Sequence, residues 1–253
     1  MPSAASTPLW VAVLGTAGAL LGPVLRARIF HHSVVPDAPW RRDCPHCGHA
    51  LLALGWRGLA GTLPSSGRCP SCGARIGPPP FVVEMATAGL FALLAWRVDR
   101  PLPLAAYCWL AAIGVALAFI DVAVHRLPDQ LTAAAFGGVV ALLGIAAVVD
   151  RDPARLGWAV LGGLGMAAAY LVLALAYPAG MGLGDVKLAL SLGTALGWTG
   201  WVATVFGTAA GFLSGGLFSL VLLVTGRANR KTEIPHGPFM LLGTFATILL
   251  LAT

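Results

Sequence analysis

The sequence is poor in charge. Only 10% of its 253 residues are charged and 58% are hydrophobic, whereas soluble domains carry about a quarter charged residues. No basic stretch is interleaved with aromatic residues, so the net charge of +6 does not indicate nucleic-acid binding. The N-terminus has no basic segment before its apolar run and no small-residue cleavage site after it, which disfavours a cleaved signal peptide. These absences exclude a protein that lives in water and indicate a membrane protein.

Long apolar runs recur along the chain. Most are about 16 to 25 residues long, the length that crosses roughly 30 Å of hydrocarbon, and the 32 glycines suit closely packed membrane helices. The predicted spans cover residues 8–25, 81–96, 102–120, 131–149, 156–177, 186–196, 200–224 and 237–251. The sixth is short and interrupted by glycine. The sequence therefore predicts an all-α polytopic membrane protein with about eight transmembrane helices.

One long polar segment interrupts the apolar pattern. It divides the chain into a first span (residues 1–27), a soluble insert (28–80) and a multi-span domain (81–253). Lys and Arg concentrate in the insert and in the loops on its side of the membrane, which places that side in the cytoplasm. The loops at 125–130, 180–187 and 226–236 would share this side.

The insert contains two CxxC motifs, Cys44-Pro-His-Cys47 and Cys69-Pro-Ser-Cys72. Four thiolates satisfy tetrahedral zinc and leave no open position, which is typical of a structural site. Two disulfides are the alternative, but a cytoplasmic insert is kept reduced, so we favour Zn²⁺. Metal binding would also stabilise an insert too small for a large core. The fifth cysteine, Cys108, lies in an apolar span and suits packing.

Two of the ten acidic residues lie where apolar segments end. Asp121 follows a long apolar run, and Asp185 follows three glycines in Gly180-Met-Gly-Leu-Gly-Asp185. Irregular glycine-rich backbone at membrane depth is tolerated only where it is buried in protein or lines a cavity. The predicted topology brings both acids to the cytoplasmic ends of their helices. Two carboxylates at one depth can share a proton, which is aspartic-protease chemistry.

The same acids also allow other functions. Asp185 could simply favour a helix N-terminus. The pair could serve a proton- or ion-coupled transporter as a relay, although the internal repeats common in transporters are not evident here. A third possibility is an adaptor that binds a partner through its zinc knuckles and uses its spans only as an anchor.

The motifs, taken in order, resemble those of the type IV prepilin leader peptidases, which are GxGD membrane aspartic proteases. Four elements carry the resemblance: the paired CxxC insert with Glu84 after it, residues 121–129 ending in Leu-Pro-Asp, Gly182-Leu-Gly-Asp185 with Lys187, and residues 236–239 reading His-Gly-Pro-Phe. The resemblance implies a bacterial inner-membrane enzyme that removes the basic leader of prepilins or pseudopilins on the cytoplasmic side. It places Asp121 and Asp185 at the catalytic positions.

The resemblance also implies roles for neighbouring residues. Gly182, Gly184, Lys187 and Asp129 are expected to support the catalytic pair, and a hydrogen-bonding role suits Asp129 better than proton transfer. Many members of the family methylate the new N-terminus with S-adenosylmethionine, for which Glu84 is a candidate residue. A plain helix N-terminal role suits Glu84 as well.

The N-terminal half departs from the family pattern. The first span usually ends in a stretch like Gly-Ser-Phe-Leu-Asn, whereas here Gly22 is followed by Pro-Val-Leu and Arg26. This half is the part linked to methylation. The sequence therefore leaves methylation open, while the protease motifs are intact.

Overall fold

The structure is a computed structural model, and it describes residues 7–35, 38–52, 61–177, 180–227, 229 and 232–252. Within these residues the chain forms eight α-helices and no strands, which confirms the all-helical prediction. The helices are α1 (Thr7–His32), α2 (Val82–Arg97), α3 (Pro101–Val124), α4 (Asp129–Asp150), α5 (Pro153–Ala176), α6 (Leu183–Thr199), α7 (Trp201–Val224) and α8 (Gly237–Leu251).

The helices fall into two length classes. Five of them, α1, α3, α4, α5 and α7, are long and apolar enough to cross a membrane. The other three, α2, α6 and α8, have 16, 17 and 15 residues. The short helices are still built into the bundle, because α2 packs on α1, α6 on α5 and α8 on α7.

Helix α1 ends later than the sequence predicts. The predicted span ends at residue 25, but the helix continues through Arg26 to His32 and crosses the predicted domain boundary after residue 27. The helix can continue through Arg26 because this side chain, only 2% exposed, pairs with the carboxylate of Glu84 in α2. Ala27 and Phe30 of this extension join Cys44, Leu52, Leu63, Cys69 and Ile76 in the small core of the insert. Residues 53–60 of the insert lie outside the described part of the chain.

Glycines set the closest helix pair, α5 and α6. A Cβ atom built on Gly162 would lie 2.6 Å from the carbonyl oxygen of Gly193 and 2.7 Å from the Cα of Gly197. Only hydrogen fits at such a crossing, as expected where membrane helices associate through small residues. Leu188, Leu192 and Trp198 of α6 are buried in the main core. The close approach fixes the position of α6, the helix whose first turn holds Asp185.

Candidate active site

Asp121 and Asp185 line the same cavity, which has a volume of about 790 Å³. Asp121 lies in the last turn of α3 and is 5% exposed, and Asp185 lies in the first turn of α6 and is 9% exposed. The sequence predicted that the two carboxylates share one depth. The structure places both side chains on the same cavity.

The carboxylate of Asp121 caps a helix 116 residues further along the chain. The backbone N–H of Gly237, the first residue of α8, donates to its Oδ2 atom at 2.9 Å. The first N–H groups of a helix have no intrahelical partner and carry a partial positive charge, so they suit a buried carboxylate. A Cβ atom on Gly237 would lie 2.9 Å from Oδ2 of Asp121. Glycine is therefore the residue that allows this contact without displacing the carboxylate.

The carboxylate of Asp185 is held by its own motif. The backbone N–H of Gly182 donates to Oδ2 of Asp185 at 3.0 Å, and the N–H of Asp185 donates back to the carbonyl of Gly182 at 3.1 Å. The bond to the Asp185 carboxylate is the half of a capping box that the third helical residue supplies, and the second bond is a backbone turn at the start of α6. Gly184 faces Leu127, whose Cβ would be 3.0 Å from an added Cβ. The same leucine side chain lies against Gly237, so the α3–α4 turn contacts both carboxylate-holding segments.

In each carboxylate, Oδ2 accepts a backbone hydrogen bond and Oδ1 accepts none from the described residues. Among the described residues, no second hydrogen bond reaches either side chain. The remaining oxygens can bind a water molecule, a proton or a substrate carbonyl. Two buried carboxylates on one cavity can hold a single proton between them, which gives one acid and one base.

Lys187 and Asp129 form an ion pair outside the cavity. The ammonium Nζ of Lys187 lies 2.6 Å from Oδ1 of Asp129, and both side chains are exposed. This contact joins α4 to α6 beside the site. Neither residue lines the cavity.

Several cavity residues were not assigned to the site from the sequence. His236 and Phe212 line the cavity, and the imidazole Nε2 of His236 lies 3.2 Å from the hydroxyl of Tyr170. Phe212 stacks on Tyr170 with ring centroids 5.0 Å apart. Sequence reasoning noted residues 236–239 only as part of the resemblance, and no local pattern connects them to Asp121.

The carboxylate of Glu84 forms an ion pair with Arg26. Its two carboxylate oxygens accept hydrogen bonds from Nε and Nη2 of Arg26, both at 2.8 Å. Arg26 also donates to the carbonyls of Pro78 and Pro79 at 2.9 and 2.8 Å. Glu84 is 8% exposed, so this is a buried bidentate pair that ties α1, α2 and the end of the insert together.

The four cysteines of the insert form one cluster. Their sulfur atoms all lie within 4.8 Å of one another, and the Cys44–Cys72 and Cys47–Cys69 Sγ pairs are each 3.8 Å apart. A tetrahedral ion with metal–sulfur bonds of about 2.3 Å separates its ligands by about 3.8 Å. No cysteine among the described residues forms a disulfide. The cluster can therefore hold a tetrahedral metal ion.

The two CxxC motifs fold as matching turns. In one, the N–H of Gly48 donates to the carbonyl of Cys44, and in the other the N–H of Gly73 donates to that of Cys69, both at 2.9 Å. Both glycines have positive φ, 69° and 72°, a conformation that suits glycine. The backbone N–H of Cys72 points to the Cys69 sulfur and lowers the pKa of that thiol to about 6, which favours the thiolate that binds metal. Although a backbone N–H lowers it, the neighbouring cysteine side chains raise the pKa of Cys72 to about 12.

Comparison with known proteins gives a consistent result over both parts of the chain. The profile of the Type IV leader peptidase family matches residues 104–220, and that of the Bacterial Peptidase A24 N-terminal domain matches residues 17–98. No solved structure matches the chain significantly.

Three relatives illustrate the similarity, and all carry the name prepilin leader peptidase/N-methyltransferase. The Aeromonas salmonicida (strain A449) protein is 33% identical over 217 residues, which cover 83% of this chain and 71% of the relative. The Dichelobacter nodosus protein is 29% identical over 236 residues, covering 88% and 79%. The Pseudomonas aeruginosa protein is 31% identical over 214 residues, covering 81% and 70%. These matches do not support a transporter. The chain belongs to the type IV leader peptidase family and is a peptidase of the bacterial inner membrane.

Proposed function

We propose that this protein cleaves the basic leader of type IV prepilins or pseudopilins at the cytoplasmic face of the inner membrane, with Asp121 and Asp185 as its catalytic pair. One observation carries the assignment of residues: two buried carboxylates line one cavity, and each is held through a single oxygen by the backbone at a helix N-terminus. The substrate class comes from the names of the relatives.

The proposed chemistry needs one ionised and one protonated carboxyl group. The ionised aspartate takes a proton from water as the water oxygen attacks the scissile carbonyl carbon, and the protonated aspartate gives its proton to the carbonyl oxygen. The tetrahedral diol then collapses, and a proton passes to the leaving amine. The N–H groups of Gly182 and Gly237 keep Oδ2 of each aspartate in place, which leaves the other oxygen for these transfers.

The neighbouring residues take supporting roles in this proposal. Gly182 donates to Asp185, and Gly184 allows Leu127 to pack against the motif. Lys187 and Asp129 brace α6 against α4 from outside the cavity. We therefore assign Asp129 a positioning role rather than proton transfer.

The cavity also offers a reason for the choice of a basic leader. Glu233 lines the cavity in addition to the two aspartates, so its carboxylate and that of the ionised aspartate would both face a bound peptide. The Lys and Arg distribution of the loops supports a cytoplasmic opening. A basic leader arriving from that side would be attracted to the cavity before cleavage.

We further propose that Cys44, Cys47, Cys69 and Cys72 bind Zn²⁺ as a structural ion. The 3.8 Å sulfur separations fit a four-thiolate site, and four protein ligands leave no position for a substrate. The ion would connect the two turns of the insert and so stabilise a segment with a core of only a few residues.

Methylation of the new N-terminus is the second activity that the relatives' names contain. S-adenosylmethionine would be the methyl donor. In this chain Arg26 stands at the end of the first span, where the family pattern differs. It donates hydrogen bonds to both carboxylate oxygens of Glu84. We propose that Glu84 is structural here, so that methylation, if it accompanies cleavage, uses other residues.

The test is purified protein incubated with a prepilin and labelled S-adenosylmethionine, with the product read by mass spectrometry. Asp121→Asn and Asp185→Asn should each lower the cleavage rate by at least about 100-fold, because each removes a group that must exchange a proton. Asp129→Asn, the matched control, should retain most of the activity. Full cleavage by either of the first two variants would refute the catalytic pair, and the label in the product reports methylation separately.

A further inference from the structure

A second cavity, of about 410 Å³, lies at the same end of the bundle as the aspartate cavity. It is lined by His32 at the end of α1, Trp40 of the insert, and Arg126 and Pro128 of the α3–α4 turn. None of these residues lines the cavity that holds Asp121 and Asp185. The consecutive residues His125 and Arg126 thus line two different cavities.

His32 is a buried polar group that lacks a partner. It is 4% exposed, and its Nδ1 atom has no hydrogen bond among the described residues. Its ring meets that of Trp40 edge-on at 4.2 Å between centroids. A buried nitrogen without a partner destabilises the folded protein, so a turn of the ring that brings Nδ1 to a ligand oxygen in the cavity would be stabilising.

The charge around this cavity is positive. Arg126 lines it, and both Arg28 and Arg126 are close enough to His32 to interact with it electrostatically. No carboxylate among the described residues lines the cavity. A guanidinium with an imidazole N–H beside it suits the oxygens of a phosphate group.

The position of the cavity indicates the source of that phosphate. It lies where α1 and α3 end and α4 begins. The ends of membrane helices are generally near the lipid headgroups, where tryptophan side chains are enriched. We propose that this cavity binds the phosphate group of an anionic phospholipid, which contacts Arg126 and His32 and packs on Trp40.

Occupation of the cavity would hold the α3–α4 turn. Leu127, between the two cavity residues Arg126 and Pro128, packs against Gly184 and Gly237, the segments that hold the two aspartates. A bound headgroup would therefore restrain the turn on which both carboxylates depend. The binding itself is measured without any peptidase reaction, so it stands or falls separately from leader cleavage.

The experiment follows the melting temperature of the full-length protein in detergent during titration with phosphatidylglycerol or phosphatidylcholine. We expect phosphatidylglycerol to raise Tm and phosphatidylcholine to have little effect. Arg126→Gln should weaken the apparent affinity for phosphatidylglycerol about fivefold, the effect of one cation near an anionic membrane surface. Arg75→Gln removes an exposed charge of the insert outside this cavity and should change it little. Equal effects of the two lipids, or of the two substitutions, would overturn the proposal.

A second variant separates binding from folding. His32→Phe keeps an aromatic ring but removes the unpartnered nitrogen, so it should raise Tm without lipid and reduce the response to phosphatidylglycerol. Inorganic phosphate at millimolar concentration should not reproduce the lipid effect. If phosphate raises Tm as much, and Arg126→Gln abolishes that rise, the site belongs to free phosphate and the lipid assignment is wrong. Stabilisation by S-adenosylmethionine through the same residues would also overturn it.

Discussion

Substitution of Gly237 by alanine tests the geometry of the catalytic pair most directly. The added Cβ would lie 2.9 Å from Oδ2 of Asp121, and an ordinary contact begins near 3.4 Å. The carboxylate must therefore move by about 0.5 Å or lose its hydrogen bond to the α8 backbone. Since a 1 Å misplacement at a catalytic centre costs about 100-fold, we expect kcat to fall about tenfold. KM should change less, because the cavity walls remain.

The protein should remain folded in this variant. The displaced atom is the end of a side chain and not backbone, and the other neighbours of the new Cβ lie at 3.5 Å, which is ordinary contact. Prepilin cleavage kinetics and the melting temperature are measured on the same preparation. The control is Gly144→Ala in α4, where an added Cβ meets nothing within 4 Å and alanine favours the helix. Wild-type kcat for Gly237→Ala, with Gly144→Ala also at the wild-type rate, would refute the idea that this bond orients Asp121.

Substitutions at three further places test other contacts. Arg26→Met should destabilise the protein by about 3–5 kcal/mol, because it leaves Glu84 buried without a cation. The double variant with Glu84→Gln should recover part of the lost Tm, and no recovery would contradict the pairing. Cys44→Ser should reduce bound zinc, measured by elemental analysis, and expose the insert to protease; unchanged zinc content would exclude the four-thiolate site. Lys187→Gln and Asp129→Asn should each change the free energy of unfolding by less than about 1 kcal/mol, because their ion pair is exposed. A larger loss, measured by thermal unfolding, would show that the pair is more than a surface contact.

The elements that depend on local pattern could be predicted from the sequence. Apolar runs fix the eight helices, and the spacing of the cysteines predicts their cluster. The position of Asp121 and Asp185 at the ends of apolar segments marks them as unusual. The glycines before Asp185 predict an irregular segment; Gly180 and Gly182 do lie outside the helix, whereas Gly184 lies in the first turn of α6.

The contacts that join distant segments could not be predicted. The sequence predicts that a cytoplasmic loop begins at Arg26, because an arginine without a partner is expected to be exposed to water. Its carboxylate partner is 58 residues away, and only the packing of α1 on α2 brings the two together. The hydrogen bond from Gly237 to Asp121 could not be predicted either, because the two residues are 116 positions apart and no sequence pattern links α3 to α8.

The close α5–α6 crossing has a consequence for biogenesis. Helix α6, with 17 residues, is not among the five helices that are long and apolar enough to cross a membrane, and its Gly193 and Gly197 lie directly against α5. During synthesis it would enter the membrane as the second arm of a hairpin whose first arm is α5. Asp185 would then reach its final depth only when this hairpin closes. The enzyme would remain inactive through most of its insertion, and a bulky side chain at Gly162 would act as an assembly defect before it acted as a catalytic one.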